Sequence, residues 1–175
     1  MNKNKIILIS LIGLVLIGSL LLNFYINNKQ VNDTDLPNAS ENTIQETAGD
    51  SKYKGTILAG NTTPYIDFNP EDFALAHAEG KFILLNFYAN WCPICRAEAP
   101  KFIAGIEAVD NPNVVAFRVN FKDSDTDDLE EEIADEYSIP YQHTKLLLSP
   151  EGEVLLKETK AWDTEETISK LQNLQ

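Results

Sequence analysis

Leu85-Asn86-Phe87-Tyr88-Ala89-Asn90-Trp91-Cys92-Pro93-Ile94-Cys95-Arg96-Ala97-Glu98-Ala99-Pro100 passes from an apolar run into two cysteines separated by two residues. The run starts at Phe82, and FILLNFYA is nearly continuous in apolar side chains, the pattern of a central strand covered on both faces. A helix is expected from the cysteine pair to about Val109. Pro93 fits its first turn without losing a hydrogen bond, whereas Pro100 removes one and kinks it. A strand that leads straight into a helix sets Cys92 beside unpaired backbone N–H groups and the positive end of the helix dipole, which favour a thiolate. Cysteines in such motifs have their pKa lowered from about 8.5 into a range of roughly 3.5–7.5. Cys92 is therefore the expected nucleophile, ionised and exposed at the helix mouth. Cys95, one turn on and inward, is the expected resolving thiol.

Cys92 and Cys95 are the only cysteines of the 175 residues, and His77 and His143 the only histidines. A disulfide scaffold shows more, wider-spaced cysteines, and a structural zinc site usually takes four Cys or His ligands. The pair reads as chemistry rather than staple. A net charge of −13 repels phosphate, so nucleic acid is not an expected partner.

Outward from the motif, the elements alternate. Tyr65–Phe68 is a short strand candidate. Asn69-Pro70-Glu71-Asp72 reads as N-cap, first-turn proline and acidic start of a helix to about Glu79, closed by Gly80. Val114–Phe121 is a strand and Thr126–Tyr137 an acidic helix. Thr144–Leu148 and Glu153–Lys157 flank the turn Ser149-Pro150-Glu151-Gly152 as a hairpin. Thr164–Leu174 closes the chain as a helix with Thr164 as N-cap. The order β-α-β-α-β-α-β-β-α predicts an α/β domain over 64–175, with a central mixed sheet flanked by helices. The nine carboxylates of Asp123–Glu136 read as a solvated face. Their D-x-D-x-D start lacks the glycine and the final glutamate of a calcium loop.

Lys3 and Lys5 precede an uncharged run from Ile6 to Ile26, long enough to span a bilayer core. No small-x-small cleavage site ends it. Residues 1–5 are expected in the cytoplasm, 6–26 as a transmembrane anchor, and 27–63 as a flexible extracytoplasmic linker, a segment that allows a short strand over Lys54–Leu58. The positive N-terminal flank puts the rest of the chain outside the cytoplasm, where disulfides persist.

The segment Leu85–Pro100 resembles the active site of the thioredoxin superfamily. It is most similar to the membrane-anchored thiol–disulfide oxidoreductases of envelope thiol homeostasis and cytochrome maturation. The resemblance covers residues 64–175 and implies a thioredoxin fold. Cys92 and Cys95 would be the catalytic pair, with Trp91 before them and Pro93-Ile94 tuning redox poise. It implies no organic cofactor, because the Cys92–Cys95 disulfide is itself the redox centre. Partners would be protein thiols or disulfides outside the cytoplasm and an unidentified redox partner. Two departures stand out. Asn86 occupies the position of a buried aspartate that assists proton transfer at the inner thiol, and Arg118 falls where a lysine is usual. His143 falls at the position of the cis-proline beside the active site, followed by the usual Thr144; Pro140 would leave too many residues before the hairpin turn.

Three readings of His143 compete. When protonated it would stabilise the thiolate. With Cys92 and Cys95 it would complete a copper or zinc site, making the chain a metal-binding or metal-delivery protein. As a turn residue it would bond only to backbone. Thr144 and its neighbours are expected to offer a backbone edge to an extended substrate.

Overall fold

A computed structural model describes residues 52–175. The expected anchor 6–26 and the residues around it lie outside the described part. Among the described residues no helix is long and apolar enough to cross a membrane.

The elements are β1 (Ile57–Ala59), β2 (Tyr65–Asp67), α1 (Pro70–Ala78), β3 (Phe82–Tyr88), α2 (Pro93–Ala108), β4 (Val114–Asn120), α3 (Asp128–Glu136), β5 (Thr144–Leu148), β6 (Val154–Thr159) and α4 (Thr164–Leu171). The expected order holds, with one strand added in front. That strand corrects the 27–63 linker: from Tyr53 onward the chain packs on the domain. Tyr53 is buried, and the Asp72 carboxylate accepts the backbone N–H of Lys54 at 2.9 Å and of Gly55 at 2.7 Å. The apolar content of the segment is low, and a buried carboxylate on α1 holds it instead.

The sheet runs β1-β2-β4-β3-β5-β6. β4 pairs in parallel with β2 and β3, whereas β1, β5 and β6 join antiparallel. β3 is buried on both faces through Phe87, as its apolar run requires. One face carries Phe87, Phe117, Ile133 and Ala76 under α1 and α3. The other carries Leu84, Phe102, Ile106, Trp162 and Leu171 under α2 and α4. The two helices on that second face meet at Gly105, where a Cβ would stand 2.5 Å from that of Thr167.

Caps set the helix starts. Asn69 accepts the N–H groups of Glu71 and Asp72, as expected. Asp127 and Glu130 form a reciprocal capping box on α3. The cap of α4 is Asp163, which accepts from Glu166 at 2.9 Å; Thr164 is the first helical residue.

Candidate active site

Where β3 ends, Cys92 caps α2. Its backbone is extended, and its sulfur accepts the N–H of Cys95 at 3.2 Å. The helix start thus places an acceptor sulfur where backbone donors are unpaired. The Cys95 thiol bonds to the Cys92 sulfur, and burial is the first cause that pushes Cys95 up to about 12. Both cysteines are free thiols here. Cys92 is 3% exposed, so the expectation of an exposed nucleophile is corrected: the sulfur is covered. It is covered in a surface turn, since Trp91 and Ile94 on either side are 52% and 58% exposed.

The turn is pinned from the β4–α3 loop. Asp123 accepts the Asn90 N–H at 2.6 Å, and the Lys122 carbonyl accepts the Trp91 indole N–H at 3.0 Å. Lys122 has φ +53°, a left-handed backbone that few side chains adopt. Asp123, read from sequence as part of a solvated face, is thus a support of the active-site turn.

Asn86 is buried, and its amide donates to the Tyr65 hydroxyl at 2.8 Å. Burial raises the Tyr65 phenol well above its ordinary value. Arg118 lies in register with Asn86 and pairs with Asp67 at 2.7 Å. A cavity of about 150 Å³ opens between α2 and the sheet, with Cys95, Glu98, Asn86, Tyr65 and Arg118 on its wall.

His143 has φ +71°, and its N–H donates to Phe87 O at 2.6 Å, so a left-handed residue joins the turn to the end of β3. No cis peptide occurs among the described residues. The imidazole Nδ1 lies 2.8 Å from Glu98 Oε2. Burial lowers the His143 pKa below 6.5, the Lys145 charge lowers it further, and Glu98 opposes both. These effects disfavour the imidazolium expected beside the thiolate, and the ring faces the Glu98 carboxylate while the backbone N–H holds the turn to Phe87. No three His, Cys, Asp or Glu are grouped to hold a metal ion among the described residues. Cys92, Cys95 and His143 are therefore not assigned as metal ligands.

Thr144 is buried and pairs with Thr159 of β6; its hydroxyl donates to Tyr141 O at 2.8 Å. Its backbone edge is thus taken by the sheet, contrary to the expectation of a substrate-binding edge there.

Glu98 was not a candidate from sequence. It lies one turn beyond Cys95, its side chain 6% exposed. Oε1 accepts from the Lys145 ammonium and from the Trp162 N–H at 2.7 Å, and Oε2 faces His143. The available signal was its place in the stripe Cys95, Glu98, Phe102, Ile106, Val109, which is otherwise buried and apolar.

The family model for the AhpC/TSA family matches residues 44–170. Thioredoxin-2 of Pyricularia oryzae is 34% identical over 110 residues, which cover 63% of this chain and 58% of that protein. The protein named Thioredoxin-like 2-2, chloroplastic, of Arabidopsis thaliana is 37% identical over 51 residues, 29% of this chain and 21% of that one. The chain thus spans less than two thirds of either relative. The solved structure titled DsbH Oxidoreductase superposes with a TM-score of 0.51 at 14% identity, over 70% of this chain and 91% of that one.

Proposed function

The chain belongs to the AhpC/TSA family and has a thioredoxin-like fold, and on that premise we propose that it is a protein thiol–disulfide oxidoreductase working through Cys92 and Cys95. The observation that carries this reading is the Cys92 sulfur capping α2 with the Cys95 thiol bonded to it.

Cys92 as thiolate attacks a partner disulfide, forming a mixed disulfide and releasing one partner thiolate. Cys95 then loses its proton and attacks Cys92. The Cys92–Cys95 bond forms, and the second partner sulfur leaves as thiolate. The reverse sequence oxidises a partner dithiol. Glu98, on the same cavity wall as Cys95, is the carboxylate placed to exchange the Cys95 proton. Asn86 has no proton to give at neutral pH. Exposed Trp91, Ile94 and Tyr141 offer apolar surface to the partner chain. Because Cys92 is covered, docking has to part the side chains around it.

The apolar run Ile6–Ile26 and the lysines before it support a membrane tether, with the catalytic domain and its partner proteins outside the cytoplasm. No organic cofactor is needed, since the dithiol carries both electrons.

The test is turnover of insulin disulfides by the full-length chain. Cys92→Ser and Cys95→Ser should each abolish it, and Cys95→Ser should accumulate mixed disulfides. Activity retained in either variant would refute the proposal.

A further inference from the structure

Asn86 and Lys145 stand opposite each other across β3 and β5, in a row that crosses five strands beneath α2. In register it reads Asp67, Arg118, Asn86, Lys145, Glu158. Its charges are matched: Asp67 with Arg118, Lys145 with Glu98, and Glu158 with Lys170 at 3.3 Å and the Trp162 indole N–H at 2.7 Å. Lys145 is the member with a fully buried side chain. A buried ammonium is costly unless paired, and its partner here is the carboxylate that shares a cavity with Cys95.

Cys95 creates a demand for a proton that must come and go in each cycle. Arg118 stays charged and Asn86 does not titrate, while burial keeps the Tyr65 phenol protonated. The remaining groups are Glu98 and the two titratable residues on its oxygens, Lys145 and His143. Resting on the dithiol reading above, we infer that Lys145 is a positioning residue of that chemistry: its ammonium and Glu98 act as one proton-exchanging pair for Cys95, and His143 links the pair to solvent.

In the direction that reduces this chain, a partner thiolate bonds to Cys92 and the Cys92–Cys95 bond breaks. The electron pair leaves on Cys95. Cys95 takes a proton from the pair, leaving carboxylate and neutral amine, and His143, its side chain 11% exposed, returns one from water through Glu98 Oε2. In the other direction the pair first gives a proton to water through His143; Cys95 then passes its proton to the neutral amine and attacks the Cys92 sulfur of the mixed disulfide, whose partner sulfur leaves as thiolate. The proton preferences agree: burial pushes Cys95 up to about 12 and Lys145 below 10.5. The groups facing Lys145 are Cys95 and Glu98 from α2, His143 ahead of β5, and Glu158 from β6 with Lys170 of α4 behind it.

The first test is a side-chain NMR titration of the full-length chain as disulfide and as dithiol. The Lys145 midpoint should differ between the two states, since the Cys95 thiol with which the pair exchanges its proton exists only after reduction, and His143 should move while His77 does not. Midpoints of Lys145 and His143 that are the same in both redox states would overturn the inference, and this arm needs no variant to fold. The second test follows release of a mixed disulfide from Cys92 against pH. Lys145→Met and Lys145→Arg should both slow it at neutral pH by about tenfold or more, because arginine keeps the charge yet gives up no proton. Full rescue by Lys145→Arg, or profiles unchanged in both variants, would overturn the inference. Failure of the unaltered chain to cycle its dithiol would instead sink the reading on which it rests.

Discussion

The Glu98 carboxylate of α2 and the Lys145 ammonium of β5 form an ion pair whose side chains are 6% and 0% exposed. They are 47 residues apart in the chain and meet because β5 pairs with β3, whose end launches α2. Trp162, ahead of α4, donates its backbone N–H to the same carboxylate. Three segments therefore converge on one side chain beside the reacting sulfur, so the stability of the fold and the chemistry of the site share a residue.

Breaking that pair from one side leaves a buried charge alone. Glu98→Gln is expected to destabilise the domain by about 3–5 kcal/mol, and adding Lys145→Met should recover most of the loss. Urea unfolding of the single and double variants checks this. A double variant as unstable as Glu98→Gln would mean that the unpaired ammonium is not the source.

Reduced and oxidised protein should part company in alkali. The folded-state pKa of Cys95 is raised from 9.0 to about 12, first by burial. The folded dithiol state therefore holds its proton more tightly than the unfolded chain does. The resulting stability is fully present below pH 9.0 and is lost as pH rises toward 12. The slope is at most about 1.4 kcal/mol per pH unit. The disulfide form has no thiol to titrate, so Cys95 should make the stability gap between the two forms change as pH rises from 9.0 toward 12. Denaturant titrations of both forms across that range decide it.

Residues 52–59 belong to the domain through Asp72. Asp72→Ala would leave the N–H groups of Lys54 and Gly55 without their acceptor, at about 1–2 kcal/mol for two part-buried donors. The same variant should be cut faster by protease within this segment. Unchanged stability and cleavage would show that β1 is held by its sheet pairing alone.

Close packing of α2 on α4 predicts a further stability effect. Gly105→Ala puts a Cβ 2.5 Å from the Thr167 Cβ, and relieving the overlap should cost about 1–3 kcal/mol. A thermal melt at wild-type temperature would contradict that contact.

Much of this architecture is legible in the sequence, for identifiable reasons. Asn69-Pro70 announces α1 because cap and first-turn proline act locally. The apolar run of β3 reads as a central strand because both its faces are covered, and the cysteine pair reads as a helix start because proline follows the first sulfur. β1 is harder: Ile57-Leu58-Ala59 is too short an apolar run to stand out, and the residues before it are anchored by a carboxylate on another element. Glu98 and Lys145 are hardest, since each is a charge inside an apolar pattern, and its reason appears only when the two strands and the helix meet. A charged residue within a buried stripe (Glu98 after Cys95, Lys145 in Thr144–Leu148) was the signal to follow. The covering of Cys92 was not legible, because it depends on the conformation of the turn.

Dithiol chemistry at this site requires that the two sulfurs close on each other. The full-length chain, equilibrated across thiol–disulfide buffers, is alkylated and its modified cysteines are counted by mass spectrometry. Cys92 and Cys95 should pass together from alkylated to protected in a single two-electron transition, which neither Cys92→Ser nor Cys95→Ser retains. Thiols that stay open to alkylation at every potential, or that are protected independently of each other, would contradict it.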